Sequence, residues 1–313
     1  MSKDIRDVIM IGAGPSALAA AIYTTREDID TVLYEKGVVG GLAAITDKVD
    51  NYPGFPEGIE GLRLAGQLEQ QAERFGAEID FGEISELRDE GAEKVVVVDG
   101  VERRARAVLI ATGSDYNKLG IPGEAEYYGR GVHYCATCDG AFYRDRRLVV
   151  VGGGNSAIQE AIFLTRFATR IDLLVRSTIK ASDILQQDLQ KHIDEGKIVV
   201  HLGTTTDEIV THEDKITLVR GTKNGEAVEF ETDGIFIFVG LKPNTQFLTG
   251  SGVELDEQGL ITTDHRLETS IPGVFASGDV RSGATMQIAS AVGEGATAAL
   301  GLREYLEAQA RGI

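Results

Sequence analysis

The chain holds two cysteines, two residues apart, in Cys135-Ala136-Thr137-Cys138-Asp139-Gly140, with a carboxylate directly after the second. Sulfurs so close in sequence can cycle between dithiol and disulfide, and in a chain with no further cysteines such a pair points to redox chemistry. Zinc is the competing chemistry. It needs four ligands, and beyond His133 no second cysteine pair or histidine cluster accompanies these two. A purely structural disulfide would close too small a loop to constrain much of the unfolded chain.

Elements that could feed electrons to such a pair stand on either side of it. Asp7 to Ile11 is a short apolar run ending in Gly12-Ala13-Gly14-Pro15-Ser16-Ala17, after which Leu18 to Arg26 reads as a helix. Strand, glycine turn and helix together let backbone approach a pyrophosphate and aim a helix N-terminus at its charge. A second strand, Thr31-Val32-Leu33-Tyr34, delivers Glu35 about twenty residues on, where a carboxylate can accept both hydroxyls of an adenine ribose.

The pattern then returns. Leu148 to Val151 runs into Gly152-Gly153-Gly154-Asn155-Ser156-Ala157, and a shift of 140 positions superposes Gly12 on Gly152, Gly14 on Gly154 and Ala17 on Ala157 without a gap. Ala21/Ala161, Ile22/Ile162, Thr25/Thr165 and Arg26/Arg166 also agree, so the repeat carries its helix with it. The copies differ at the acid. Val175 stands where the first copy has Glu35, followed by Arg176 and Lys180. The first site suits a free ribose, and the second offers cations suited to a 2'-phosphate.

Around these motifs the pattern predicts a helix over 62–75, strands near 78–81, 94–98 and 101–105, and a further strand over 107–111 leading to Thr112-Gly113. The second half repeats the layout with strands at 171–175, 198–201, 215–219 and 226–230, a helix at 183–194, and the run Gly234 to Gly240. Residues 247–313 are too few for a third domain. Their strongest feature is Pro272 to Asp279, a strand ending in an acid, with a helix starting near Gln287. The expected fold is α/β: two doubly wound dinucleotide-binding domains of three-layer ββα type, the second inserted in the first. The first comprises 1–116 and 245–313, the second 117–244, and the two connections serve as a hinge.

The chain has 313 residues, 42% hydrophobic and 26% charged, with 38 glycines and 6 prolines, the profile of a globular protein with many tight strand-to-helix turns. A net charge of -18 without a basic cluster argues against nucleic acid or an anionic membrane as partner. No run of eighteen apolar residues and no signal-peptide pattern is visible, which reads as a cytoplasmic chain.

Together these residues resemble the low-molecular-weight thioredoxin reductase family, from about residue 7 to 305. The glycine turn at Gly12, Glu35, Gly40-Gly41, Asn51-Tyr52-Pro53-Gly54, Ala111-Thr112-Gly113, the cysteine motif, the glycine turn at Gly152 and Gly278-Asp279 stand in family order. The resemblance implies FAD in the first domain, with Gly12, Gly14 and Ser16 at the pyrophosphate, Glu35 at the ribose, Gly41, Ala111 and Gly113 lining the site, and Asn51 near the ring. Asp279 is implied on the ribityl and phosphate side, and Gln287 near the flavin. It implies NADPH in the second domain, on Gly152, Gly154, Asn155, Ser156, Arg176 and Lys180. Cys138 would face the flavin, Cys135 would attack the disulfide of a thioredoxin, and Asp139, kept protonated by burial, would act as general acid to the departing Cys138 thiolate. A homodimer is implied as well.

Departures from the family pattern gather on the nicotinamide side. The usual His-Arg-Arg-x-x-x-Arg cluster reads Val175-Arg176-Ser177-Thr178-Ile179-Lys180, keeping one arginine and losing the next. Met286 replaces the Arg that usually precedes Gln287, Leu42 a usual Gln, and Ala141 a common aromatic, while Phe142 and Arg130 remain. The expected activity is therefore an NADPH-dependent thioredoxin-disulfide reductase. The alternatives are a related enzyme fed by NADH, ferredoxin or reduced flavin, a flavin-dependent dithiol oxidase, and a non-catalytic flavoprotein.

Overall fold

The computed structural model describes residues 5–46 and 48–312, which fall into two compact units. One unit runs to Asp115 and resumes at Lys242; the other is Tyr116–Leu241.

The first unit is built on seven strands. Ile5–Ile11 lies between Thr31–Glu35 and Val101–Ile110, parallel to both, and Glu78–Phe81 adds parallel to the outer side of Thr31–Glu35. Covered on both faces, Val8, Ile9 and Met10 are fully buried, which is why this run is continuously apolar rather than alternating. Val101–Ile110 is one strand of ten residues with two partners on its other edge. Its first half pairs antiparallel with Lys94–Val98, which continues antiparallel to Ile84–Asp89; its second half pairs parallel with Val274–Ala276. The separate runs 101–105 and 107–111 expected from sequence are thus one strand that changes neighbours near Arg106.

The helix Pro15–Arg26 has Pro15 in its first turn and Gly14 as N-cap, and most of its alanines are buried. It packs on Ile288–Arg311 so closely that a Cβ on Gly295 would fall 2.1 Å from the Ser16 carbonyl oxygen. Small residues on both helices make that approach possible.

The second unit repeats the plan. Arg147–Val151 is central, parallel to Arg170–Val175 on one side and Gly234–Ile237 on the other, with Ile198–Leu202 outermost. A three-stranded antiparallel sheet, Glu208–His212, Lys215–Lys223 and Glu226–Glu231, stands where the first unit has its meander. Val132–His133 adds parallel to Gly234–Ile237, in the position that Val274–Ala276 holds in the first unit. Each unit is therefore a doubly wound α/β domain of ββα type. Among the described residues no helix is long and apolar enough to cross a membrane, and no cluster of three or more His, Cys, Asp or Glu could hold a metal ion.

Candidate functional site: two glycine turns and a cysteine pair

In the first unit the glycine turn closes on the strand beside it. Gly12 has φ +97°, and a Cβ there would lie 2.6 Å from the Ala111 carbonyl oxygen, so strand and turn meet only because the residue is glycine. Gly14 has open space where its Cβ would be, which leaves room for a ligand to approach the backbone. Gly40 donates its N–H to the Ala13 carbonyl at 2.8 Å, drawing Gly41 up against Gly14.

Glu35 ends its strand with both carboxylate oxygens in use. Oε2 accepts the Ala13 N–H at 2.8 Å and Oε1 the Gly37 N–H at 2.8 Å. A cleft lined by Gly12, Glu35, Lys36, Gly82, Thr112 and Asn244 opens beside it. Thr112 and Asn244 clasp each other: the Thr112 hydroxyl donates to the Asn244 carbonyl at 2.8 Å, and the Asn244 amide to the Thr112 carbonyl at 3.1 Å. Gly113, at φ +66°, accepts the Asn244 N–H at 3.1 Å.

The remaining first-unit residues singled out in the sequence come together here too. The Asn51 amide donates to Gln287 Oε1 at 3.0 Å, and Gln287 is the N-cap of Ile288–Arg311. Ser16 Oγ lies 2.7 Å from Ser277 Oγ, two residues before Asp279. Burial, and secondarily the charge of Glu294, pushes the Asp279 carboxyl up to about 6. Glu294 itself is held by Arg281 at 2.6 Å and accepts the Gly278 N–H at 2.8 Å.

The turn of the second unit uses the same device. Gly152 has φ +140°, and its Cβ would fall 2.3 Å from the Phe238 carbonyl oxygen, while Gly154 faces open space. The loop after Val175 folds back over this turn: Lys180 donates its N–H to the Gly153 carbonyl at 2.7 Å, and Ser182 donates its N–H to Asn155 Oδ1 at 2.9 Å. Asn155, Ser156, Arg176, Ser177 and Lys180 are all exposed, and among the described residues neither Arg176 nor Lys180 forms an ion pair.

Cys135 and Cys138 are joined as a disulfide, with Cα atoms 5.3 Å apart. Cys135 is the N-cap of the short helix Ala136–Asp139, its sulfur accepting the Cys138 N–H at 3.2 Å. Ala136 is fully buried, Thr137 exposed, and the two cysteines lie between, half-buried. Asp139 closes the helix with its side chain 18% exposed, and Oδ2 lies 3.0 Å from His133 Nδ1. By strand register Cys135 holds in this unit the place Ser277 holds in the other, at the sheet end that also carries the glycine turn.

Three neighbours of the pair were not singled out as partners of the cysteines in the sequence. His133, weighed there only as a metal ligand, is 5% exposed and sits between Asp139 and Tyr143. Tyr143 fits because Gly234 has no side chain; a Cβ there would lie 2.4 Å from its ring. Glu160, on Asn155–Leu164, faces the Ala136 backbone, and burial pushes its carboxyl up. Its Oε2 is buried without a hydrogen-bond partner. Only its helical spacing from Gly152 could have pointed to Glu160, and that spacing does not single it out.

Comparison with known proteins accords with this geometry. The family model described as pyridine nucleotide-disulphide oxidoreductase matches residues 6–295. A thioredoxin reductase of Bacillus subtilis is 44% identical over 312 residues, covering 98% of this chain and 97% of that protein. One from Listeria innocua is 44% identical over 308 residues, covering 97% and 95%. The crystal structure of thioredoxin reductase from Streptococcus pyogenes superposes with a TM-score of 0.93 at 38% identity, covering 98% of this chain and 100% of that one. With the repeated glycine turns and the Cys135–Cys138 disulfide, these matches make the chain a member of the pyridine nucleotide-disulphide oxidoreductase family, in its low-molecular-weight thioredoxin reductase branch.

Proposed function

We propose that this protein is a thioredoxin reductase that takes reducing equivalents from NADPH and delivers them, through FAD and the Cys135/Cys138 pair, to the disulfide of a thioredoxin-like protein. The observation that carries the reading is the disulfide itself, held at the glycine-turn end of a dinucleotide-binding sheet with a carboxyl directly after it.

The residues present fit both cofactors. Gly14 and Gly154 leave their turns open, Gly12 and Gly152 admit no side chain, and Glu35 offers a carboxylate beside a cleft. Glu35, Gly12, Gly14, Ser16, Gly41, Ala111, Gly113 and Asp279 would hold FAD, with Asn51 and Gln287 toward its ring. Gly152, Gly154, Asn155, Ser156, Arg176 and Lys180 would hold NADPH. FAD, when bound, supplies the two-electron carrier between a nicotinamide and a disulfide.

The chain's own work lies at the sulfurs. Two electrons and two protons open Cys135–Cys138 to the dithiol, and Asp139, adjoining Cys138, hands one of those protons to its thiolate. Cys135, as thiolate, then attacks one sulfur of the partner's disulfide, breaking that bond and forming a mixed disulfide. Cys138 next attacks Cys135, which re-forms the internal disulfide and releases the partner as a dithiol after protonation. A cytoplasmic homodimer is what membership of the family leads one to expect, and a net charge of -18 fits the absence of nucleic-acid and anionic-membrane partners.

A second reading concerns the donor. Ser177 stands where the family pattern for NADPH usually has an arginine, which leaves Arg176 and Lys180 to hold a 2'-phosphate; NADH is then the competing donor. Anaerobic addition of NADPH, NADH or dithiothreitol to the purified yellow protein tests both. Bleaching of flavin absorbance by NADPH, followed by thioredoxin reduction, is expected. Bleaching by NADH alone transfers the assignment to that donor, and bleaching by dithiols alone, with oxygen uptake, rejects the reductase reading in favour of an oxidase.

A further inference from the structure

His133 bridges Asp139 and Tyr143 beside the redox loop, within ion-pair range of the first and hydrogen-bonded to the second. Nδ1 of His133 lies 3.0 Å from Asp139 Oδ2, and Nε2 lies 2.7 Å from the Tyr143 hydroxyl. The imidazole is fixed from both sides. It stacks on Phe236 at 5.0 Å, opposite it across the strand pair, and Tyr143 meets it edge-on at 5.3 Å. Gly234 provides the space for the Tyr143 ring. Histidine, acid and phenol thus come from three successive elements that bracket Cys135 and Cys138: Val132–His133, Ala136–Asp139 and Gly140–Tyr143.

We propose that His133 is the positioning residue of Asp139, held by Tyr143 as its Nδ1–H tautomer so that Oδ2 is engaged and Oδ1 carries the transferable proton. The inference rests on the acid role given to Asp139 above. Tyr143 remains a phenol, because burial, and then the charges of Asp139 and Asp233, oppose its ionisation. The tautomer proposed has that O–H donating to Nε2, which leaves hydrogen on Nδ1, the ring nitrogen 3.0 Å from Oδ2.

The arrangement also suits the reaction. When Oδ1 passes its proton to Cys138, charge appears on the carboxylate, and the Nδ1–H bond strengthens as it does so. Asp139 meets the imidazole at Nδ1 and Tyr143 at Nε2, Asp233 acts on Tyr143 in turn, and Phe236 closes the apolar side.

The test pairs a spectroscopic readout with a kinetic one on the holoenzyme. The 15N shifts of His133 in oxidised protein are expected to show hydrogen on Nδ1 and a bare Nε2. Asn places an amide donor where Nδ1 was, so His133→Asn is expected to keep kcat for thioredoxin reduction within about threefold. His133→Leu, which removes the donor, should lower kcat roughly ten- to hundredfold with KM unchanged, the range for a lost hydrogen bond to a charged group. It should also displace the pH profile of kcat, while Tyr143→Phe should mix the tautomers. Hydrogen found on Nε2 alone, or wild-type kcat and pH profile in His133→Leu, overturns the proposal. Asp139→Asn is the control for the reading beneath it: unchanged turnover there removes the acid role and the proposal with it, whereas slowed turnover with an indifferent His133→Leu removes the proposal alone.

Discussion

Tyr134 donates its phenolic hydrogen to Glu124 Oε1 at 2.6 Å, one residue before Cys135. The same carboxylate accepts the backbone N–H groups of Leu119 at 2.8 Å and Gly120 at 2.6 Å, and Tyr134 stacks on Tyr116 at 5.1 Å. The strand that delivers the redox pair is therefore anchored to an acid 3% exposed. Burial acts to raise the Glu124 carboxyl, but the Tyr134 hydroxyl and the backbone donors outweigh it, and the net shift is downward. A lowered carboxyl adds stability above its unfolded value, and that stability is lost as pH falls through the folded one. Glu124→Gln is expected to cost about 2 kcal/mol at neutral pH, and the gap to wild type should shrink as pH drops below the ordinary glutamate range. Urea unfolding at the two pH values measures it.

Asp279 behaves in the opposite sense. Its carboxyl is pushed up to about 6, so the fold favours its neutral form, and its contribution to stability is present below the ordinary aspartate range and lost as pH rises through about 6. In cofactor-free protein the wild type should lose up to about 3 kcal/mol relative to Asp279→Asn across that window. Parallel slopes of unfolding free energy against pH for the two proteins would contradict this.

Glu35 joins the glycine turn and the strand end through two backbone hydrogen bonds. Glu35→Ala removes both, along with the carboxylate proposed to meet the ribose, and should weaken FAD roughly ten- to hundredfold. Flavin fluorescence on dilution of the holoprotein reads the change.

The glycines of the second turn separate stability from binding. Gly152→Ala drives a Cβ into the Phe238 carbonyl at a left-handed φ, and should destabilise the Tyr116–Leu241 unit by about 2 kcal/mol or more. Gly154→Ala meets nothing in the protein, so thermal unfolding should hold while KM for the nicotinamide rises.

Arg176 and Lys180 lie exposed beside that turn. Arg176→Ala should raise KM for NADPH roughly tenfold and leave KM for NADH unchanged, as expected of a charge that meets only the 2'-phosphate. Equal effects on the two nucleotides would assign Arg176 elsewhere.

The duplicated layout was legible in the sequence because glycine turns leave a positional mark: Gly12 and Gly152 each sit where backbone must pass against backbone, and no other residue serves. Strands Ile84–Asp89 and Glu208–His212 escaped notice for a physical reason. Both sit at the edges of their sheets, with Leu87 and Ile209 their only buried residues, so neither carries a strong alternating pattern. Val132–His133, two residues long, gives no periodic signal at all. The setting of Asp139 was out of reach for a different reason. His133 and Tyr143 are near it in sequence, but their meeting depends on the chain reversing through two short helices and on the absence of a side chain at Gly234. The repeat predicted the platform and the cysteines the reaction; the hydrogen bonding around the acid came only with three dimensions.

The chain order of the first unit carries a consequence for its birth on the ribosome. Helix Pro15–Arg26 buries its alanines against Ile288–Arg311, and the long strand Val101–Ile110 keeps an open edge until Val274–Ala276 arrives. Both completing elements are translated after the Tyr116–Leu241 unit, which contains every strand of its five- and three-stranded sheets. Domains generally fold as units during synthesis. The unit bearing the cysteines is thus finished while Pro15–Arg26, translated before it, still waits for the helix it packs against.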